Sequence, residues 1–176
     1  MKETLKFIFT VAIIVIPIRT FIAQPFIVSG VSMDPTFTTG HYLIVDEISY
    51  RFSKPERGDV IVLKYPKNPK EDYVKRIIGL PGETVDIKDG KVTITTTTGS
   101  TTTLRDDFVD PKHQISDSSK TILLNDEYFV MGDNRAQSSD SRSWGPLPRD
   151  LIIGRAFIRL YPFSEIQFFP GKIKFE

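Results

Sequence analysis

The chain has 176 residues, enough for one well-packed core and a small additional lobe. Its formal net charge is +1, which argues against a nucleic-acid partner. There is no cysteine, so disulfides, thiol catalysis and cysteine-ligated zinc are excluded. The two histidines, His41 and His113, have no metal-binding spacing, and we expect no metal site, no cofactor and no Ser-His-Asp triad.

The first predicted element is an apolar helix. The segment from Phe7 to Val28 has 22 residues and a single charge, at Arg19. As a helix it would reach roughly 30 Å, the thickness of the hydrocarbon layer of a membrane. The lysines before it, Lys2 and Lys6, favour an N-terminus inside the cell. Residues 1–28 are therefore predicted to be a cytoplasmic tip and a single-pass membrane anchor, with the rest of the chain on the extracytoplasmic side.

Two other interpretations of this segment stay open. A cleavable signal peptide needs small residues at its cleavage site, and Phe21 stands two positions before Ala23, which makes the site poor. The other alternative is a buried core helix of a soluble protein.

Short strands separated by glycine and proline signals follow the turn around Ser32. They are predicted at residues 42–45, 60–63, 73–78, 84–87, 91–94, 127–131 and 152–160. Asp89-Gly90 is a strong hairpin signal, residues 66–72 read as a polar loop, and the threonine-rich residues 95–103 suit a solvated ribbon.

The predicted fold is therefore mainly β. Residues 29–85 and 123–176 are expected to form the core, interrupted by a peripheral β-ribbon at residues 86–122. In the C-terminal tail, Phe163, Phe168 and Phe169 are expected to seal the core, with contact to a membrane as the alternative.

Ser32 lies in a proline-limited turn, Ser29-Gly30-Val31-Ser32-Met33-Asp34-Pro35-Thr36, where its hydroxyl can face outward. A serine nucleophile needs a base, and without a credible histidine the remaining candidate is a lysine that burial keeps neutral. Lys75 fits best, because alternation along its strand places Tyr73 and Ile77 on the same face. On this pattern alone, a turn serine and a strand lysine with a solvated tip remain the commoner explanations.

Four blocks of sequence resemble the type I signal peptidases, membrane serine proteases that remove signal peptides from exported proteins. They are Ser32-Met33-Asp34-Pro35-Thr36, the strand block that starts at Arg57-Gly58-Asp59, the block from Tyr73 to Gly82, and the block from Gly132 to Arg142. The resemblance implies a barrel-like or sandwich-like core of antiparallel sheets. It also implies that Ser32 is the nucleophile and Lys75 the general base.

The same resemblance implies supporting roles for several residues. Ser138 would hydrogen-bond the Lys75 amine, Asp140 and Arg142 would form an ion pair near the site, and Asp133, Asn134 and Arg135 would be structural. Some members of the family have a serine that helps to bind the oxyanion where this chain has Gly30, so the second oxyanion donor is left open. The implied partners are the signal peptides of exported preproteins, together with membrane lipid.

Two other functions compete with this one. A self-cleaving repressor-type protease shares Ser-Lys chemistry, but it would need a DNA-binding segment where this chain has an apolar one. The alternative of a different class is a catalytically dispensable anchored β-module in surface-protein or pilus assembly, against which the presence of both Ser32 and Lys75 argues.

Overall fold

Two antiparallel sheets make up most of the fold. The structure, a computed structural model, describes residues 2–17 and 23–175. The larger sheet has eight strands in the order β1-β2-β11-β3-β4-β9-β10, with β12 paired to β11. Its strands are β1 (Ala23–Ile27), β2 (Tyr42–Asp46), β3 (Val60–Tyr65), β4 (Asn68–Gly79), β9 (Glu127–Met131), β10 (Leu147–Pro148), β11 (Ile152–Tyr161) and β12 (Gln167–Phe168).

The smaller sheet is inserted between β4 and β9. Its order is β7-β6-β5-β8, formed by β5 (Thr84–Lys88), β6 (Lys91–Thr95), β7 (Thr101–Thr103) and β8 (Ser119–Ile122). The predicted Asp89-Gly90 hairpin is confirmed: both residues have positive φ, as a tight hairpin turn requires. The exposed threonines of β7 also agree with the predicted solvated ribbon.

The insert is more than a ribbon, however. It begins at Thr84, two residues before the predicted boundary, and one face of it is apolar. Val85 and Ile87 of this face share a buried cluster with Ile78 and Phe129 of the large sheet. Because the two sheets share this cluster, the insert packs against the core.

The large sheet has two further clusters, which hold the strands that matter for the site. One includes Ile61, Leu63, Ile77 and Val130, and the other includes Met33, Phe37 and Leu43. Strands β1, β8, β10 and β12 were not predicted as strands. The seven predicted strands are all observed, and only β4 differs clearly in its bounds. This strand starts at Asn68, inside the predicted loop, because cross-strand pairing with β3 extends the hairpin and Tyr65 stacks on Tyr73 at 4.7 Å.

The chain begins with helix α1 (Lys2–Pro17) and has two one-turn helices, α2 (Ser49–Phe52) and α3 (Ser141–Trp144). Of the predicted anchor at residues 7–28, the part up to Pro17 is helical and residues 18–22 lie outside the described residues. Its last part was predicted wrongly, since Ala23–Ile27 is a strand that pairs with β2 in register. Across residues 2–17 and 23–175, the structure contains no helix with the length and apolar character of a membrane span.

The expectation that the aromatic tail seals the core was also wrong. Phe163 and Phe168 are exposed by 78% and 62%. The reason is that β12 pairs with the outer part of β11, so these rings lie beside the sheet, where Phe168 packs edge-on against Phe157.

Candidate active site

Ser32 lies in the loop between β1 and β2, and two buried neighbours fix this loop. Met33 and Phe37 are almost fully buried among the apolar residues of one cluster, and the Phe37 amide donates to the Met33 carbonyl at 2.9 Å. The tight turn and its two apolar anchors leave the half-buried Ser32 side chain on the open side of the loop. The loop therefore has a fixed conformation that exposes the Ser32 hydroxyl.

Lys75 lies on β4 and reaches that hydroxyl. Its Nζ is 2.8 Å from Ser32 Oγ and donates a second hydrogen bond to the Val74 carbonyl at 3.0 Å. The side chain is only 3% exposed. Tyr73 and Ile77 flank it on the strand, as the alternation predicted, and both pack in the cluster that contains Ile61, its cross-strand neighbour. An apolar strand face thus surrounds the amine.

Burial changes the protonation of this amine. Desolvation lowers the pKa of Lys75 from its ordinary value of 10.5 to about 8, although the carboxylates of Asp140 and Asp133 oppose the shift. Arg142 adds a smaller repulsion in the same direction as burial. A lysine with a pKa near 8 has a sizeable neutral fraction at mildly alkaline pH, and only the neutral form can accept a proton.

Asp133 connects the two halves of this pair. Its carboxylate accepts from Thr36 Oγ1 at 2.5 Å and from Arg76 Nε and Nη2 at 2.8 and 2.6 Å. Thr36 lies four residues after Ser32, and Arg76 follows Lys75 directly. The next residue, Asn134, donates its amide to the Ser32 carbonyl at 3.1 Å. Sequence reasoning gave Asp133 a structural role but missed Arg76, whose complete burial beside Lys75 depends on contacts distant in sequence.

The predicted ion pair between Asp140 and Arg142 is formed. Arg142 donates to both carboxylate oxygens of Asp140 at 2.8 Å, and the Gly132 amide donates to one of them at 3.0 Å. Burial alone would raise the pKa of Asp140, but the hydrogen bonds and charge of Arg142 outweigh it and the pKa is lowered. Arg142 also pairs with Asp117 of the insert at 2.9 Å. The pair therefore stays charged and fixes the backbone at Gly132.

The predicted hydrogen bond between Ser138 and Lys75 is not formed. Within residues 2–17 and 23–175, no group makes a hydrogen bond of normal geometry with the buried Ser138 Oγ. The hydroxyl lies over Gly132 so closely that a Cβ there would be 2.3 Å from it and 2.4 Å from the Ser32 carbonyl oxygen. The second partner of the amine is instead the carbonyl of its own neighbour, Val74.

Gly30 sits in a backbone conformation that favours glycine, with φ at +106°. Its amide donates to Thr39 Oγ1 and its carbonyl accepts from the same hydroxyl, both at 3.0 Å. The Gly30 amide is thus already engaged, whereas the Ser32 amide donates to none of the described residues. Of the two amides, that of Ser32 is the better candidate for binding an oxyanion.

A cleft of about 320 Å³ opens beside Ser32 and Lys75. One wall is the end of β1 with the loop that follows it, and the other is the middle of β4. The lining residues are Phe26, Ile27, Val28, Ser29, Gly30, Val31, Ser32, Met33, Val62, Asp72, Tyr73, Val74, Lys75, Gln137 and Ser139. An extended chain could lie between the two edges, with small side chains against the apolar wall.

This arrangement is a hydroxyl hydrogen-bonded to a buried amine, with the Ser32 amide and a peptide-sized cleft beside them. These are the groups that hydrolysis through an acyl-serine intermediate requires. The comparisons with known proteins agree with that chemistry. Residues 1–161 match the family model described as signal peptidase, peptidase S26.

The individual proteins that this chain resembles are also signal peptidases. The chain is 37% identical to a signal peptidase I of Leptolyngbya laminosa over 174 residues, covering 94% of this chain and 82% of the relative. It is 32% identical to signal peptidase IB of Staphylococcus aureus MRSA252 over 182 residues, covering 95% and 94% of the two chains. A crystal structure of a signal peptidase I from Enterococcus faecalis V583 is 29% identical and covers 58% of this chain and 97% of that one, with a TM-score of 0.49. From the family match and the identities to the Leptolyngbya and Staphylococcus enzymes, the chain belongs to the S26 family of signal peptidases, hydrolases of the serine peptidase class.

Proposed function

We propose that this chain is a membrane-anchored endopeptidase that removes signal peptides from exported preproteins through a Ser32–Lys75 acyl-enzyme mechanism. The observation that carries the proposal is the 2.8 Å hydrogen bond between Lys75 Nζ and Ser32 Oγ, made by an amine that is 3% exposed. Burial supplies the neutral base, and the cleft supplies a place for the peptide next to it. The non-enzymatic β-module is not favoured, given the peptidase family of the chain.

The reaction follows from these positions. Neutral Lys75 takes the Ser32 proton while Oγ attacks the scissile carbonyl carbon, and the Ser32 amide donates to the oxyanion that forms. The Lys75 ammonium then gives its proton to the leaving amine nitrogen as the C–N bond breaks. Lys75 next removes a proton from water, the hydroxide attacks the Ser32 ester, and return of the proton to Oγ releases the signal peptide and restores the enzyme.

The other assigned residues support this pair in the proposal. Asp133 holds Arg76 and Thr36 together, and Asp140 with Arg142 fixes Gly132 against the Ser32 carbonyl. Ser138 acts by packing over Gly132, and Gly30 shapes the cleft with its positive φ.

Membrane anchoring is supported by the surface of α1. The apolar side chains of Leu5, Phe7, Ile8, Phe9, Val11 and Ile13 are all exposed. A helix with apolar side chains exposed on several sides needs an apolar surrounding, and a membrane provides one. We place the catalytic sheets on the extracytoplasmic side, where signal peptides emerge, and tethering there raises the local concentration of substrate.

A second apolar surface supports contact with lipid. Ile27 of β1 and Tyr161 of β11 both pair with Tyr42, so the three share one end of the sheet, and Phe163 packs edge-on against Tyr161. Ile27 is 68% exposed and also lines the cleft. This apolar rim would bring the mouth of the cleft to the membrane surface.

The experiment uses the full chain in detergent and a preprotein as substrate. Ser32→Ala and Lys75→Ala are each expected to reduce cleavage by at least about 10³-fold, because each removes one half of a unit that acts together. Ser29→Ala, a serine on the cleft wall three residues away, is the matched control and is expected to keep most of the activity. Substantial cleavage by either of the first two variants would refute the assigned pair.

A further inference from the structure

The last residues of the chain lie outside the part that matches the family model, which ends at residue 161. After the exposed stretch 163–169, the chain turns back into the protein. Pro170 is buried, and Gly171, Lys172, Ile173 and Phe175 are half-buried. We call residues 170–175 the C-terminal clasp.

The clasp contacts the block that contains Lys75. The Gly171 carbonyl accepts a hydrogen bond from Arg76 Nη1, the same nitrogen that donates to the Gly58 carbonyl at 3.0 Å. Phe175 packs edge-on against Phe108 at 6.0 Å, and the Phe108 ring lies 4.5 Å from the Arg76 guanidinium carbon. Residues of the clasp thus help to enclose Arg76, the residue next to the base.

The clasp also contacts the block that contains Ser32. Gly171 has φ at +73°, and a Cβ built on it would lie 2.4 Å from Thr36 Cγ2 and 3.4 Å from Arg76 Nη2. Gly171 therefore fills the gap between Thr36 and Arg76, the two residues that Asp133 joins by hydrogen bonds. A side chain larger than hydrogen at this position would have to displace Thr36.

Lys172 fixes the clasp to the core. Its Nζ lies 3.1 Å from Asp59 Oδ1 and 2.9 Å from Glu56 Oε2, and Asp59 is nearly buried. Close backbone packing at Gly58, where a Cβ would meet the Ile173 carbonyl oxygen at 1.9 Å, adds a second attachment.

We propose that the C-terminal clasp is a positioning element for the proposed reaction: by occupying the space between Thr36 and Arg76, it holds the Ser32 loop and the Lys75 strand at their working separation. The inference rests on the function proposed for Ser32 and Lys75. A displacement of about 1 Å between reacting groups lowers rates by roughly 10²-fold, so a small shift transmitted through Thr36 or Arg76 is enough.

The test is Gly171→Ala in the full chain, compared with Gly99→Ala. Both positions have a similar positive φ, but Gly99 lies in the insert and a Cβ there meets nothing within 4 Å. Both variants thus carry the same backbone strain, and only Gly171→Ala disturbs Thr36. We expect Gly171→Ala to lower kcat for preprotein cleavage by at least about tenfold with KM little changed, and Gly99→Ala to leave both constants near their original values.

Rescue distinguishes positioning from general damage. Thr36→Ser removes Cγ2, the atom that the new Cβ would meet, and keeps the hydroxyl that binds Asp133. The double variant Gly171→Ala with Thr36→Ser is expected to recover part of the lost kcat. If Gly171→Ala does not fold, Lys172→Met, which releases the clasp from Glu56 and Asp59, should show the same fall in kcat at unchanged KM.

Equal kcat in the Gly171→Ala and Gly99→Ala variants would overturn the clasp. A loss of kcat in Gly171→Ala that equals its unfolded fraction, measured by thermal denaturation, and that Thr36→Ser does not rescue would also overturn it. If Gly171→Ala does not fold, an unchanged kcat in Lys172→Met would overturn it. The Ser32→Ala variant is measured alongside. Cleavage by that variant would remove the proposed function itself, whereas normal activity in Gly171→Ala would remove only the clasp.

Discussion

At the scale of residues, the proposed chemistry depends on a single buried amine, that of Lys75. Lys75 reaches Ser32 from an apolar strand face, so the environment that positions the proposed base also lowers its pKa. The arrangement lowers stability, because the folded protein must hold a lysine that prefers water.

Replacing Lys75 by Met should therefore stabilise the protein while removing activity. Between pH 8 and 10.5 the unfolded lysine binds a proton that the folded one does not. Wild-type stability thus falls as pH is lowered through this window and levels off below about pH 8. The pKa shift corresponds to roughly 3 kcal/mol of unfolding free energy. The stability advantage of Lys75→Met over wild type should therefore be about 3 kcal/mol larger at pH 7 than at pH 10.5.

Denaturant unfolding of the full chain in detergent at the two pH values measures this difference. Lys64→Met is the control, because Lys64 lies on the neighbouring strand with an exposed side chain, so that its replacement relieves no burial of a charge. An equal effect of both substitutions would show that Lys75 is not destabilised by burial.

At the scale of elements, the inserted sheet is joined to the block that surrounds the site. Arg135 makes a two-pronged pair with Asp106 of the insert, both contacts at 3.0 Å, and Arg135 is almost fully buried. His113 of the insert also lies 3.5 Å from Asp34, two residues after Ser32. The insert therefore supports the loop that carries Ser32 from one side.

Asp106→Asn should destabilise the protein by about 3 kcal/mol, since it leaves the buried Arg135 guanidinium without its counter-charge. Asp107→Asn is the comparison, because Asp107 is the next residue of the insert, is exposed, and should not change the melting temperature measurably when replaced. Equal melting temperatures for the two variants would mean that the Arg135 pair contributes nothing to the attachment of the insert.

The sequence was sufficient to predict most strands, because alternation and turn residues act locally. The Asp89-Gly90 hairpin and the face shared by Tyr73, Lys75 and Ile77 are examples. The predictions failed where partners distant in sequence decide the outcome. Cross-strand pairing converts residues 68–72 and 23–27 into strands, and Arg76 is buried by residues 58, 108, 133 and 171. The role of Val74 as partner of the amine depends on a side-chain rotamer, which no spacing rule specifies.

At the scale of the whole molecule, two apolar surfaces support a membrane location in the proposal. One is the exposed apolar surface of α1, and the other is the rim formed by Ile27, Tyr161 and Phe163 next to the cleft. Together they would place the catalytic pair at the membrane surface on which a signal peptide arrives.

Alkaline carbonate extraction of membranes from expressing cells tests the anchor. The full chain is expected to stay in the membrane pellet, and Phe9→Asp with Ile13→Asp is expected to release it, because each charge in an apolar helix costs about 3 kcal/mol in lipid. Thr98→Asp with Thr102→Asp adds the same charge on the exposed insert and should not release it. Release of the unchanged chain would contradict the proposed anchor.

The rate at which Ser32 is acylated, measured as a function of pH, tests the proposed pairing most directly. The full chain in detergent is treated with a serine-directed acylating inhibitor, and modification is followed by peptide mass spectrometry. With a pKa of Lys75 near 8, Ser32 should be the serine that is acylated, and its acylation rate should increase with pH through a midpoint close to pH 8. In Lys75→Ala the acylation of Ser32 should be much slower and should show no such midpoint. Acylation at another serine, or a rate at Ser32 that is the same from pH 6 to pH 10 with or without Lys75, would contradict it.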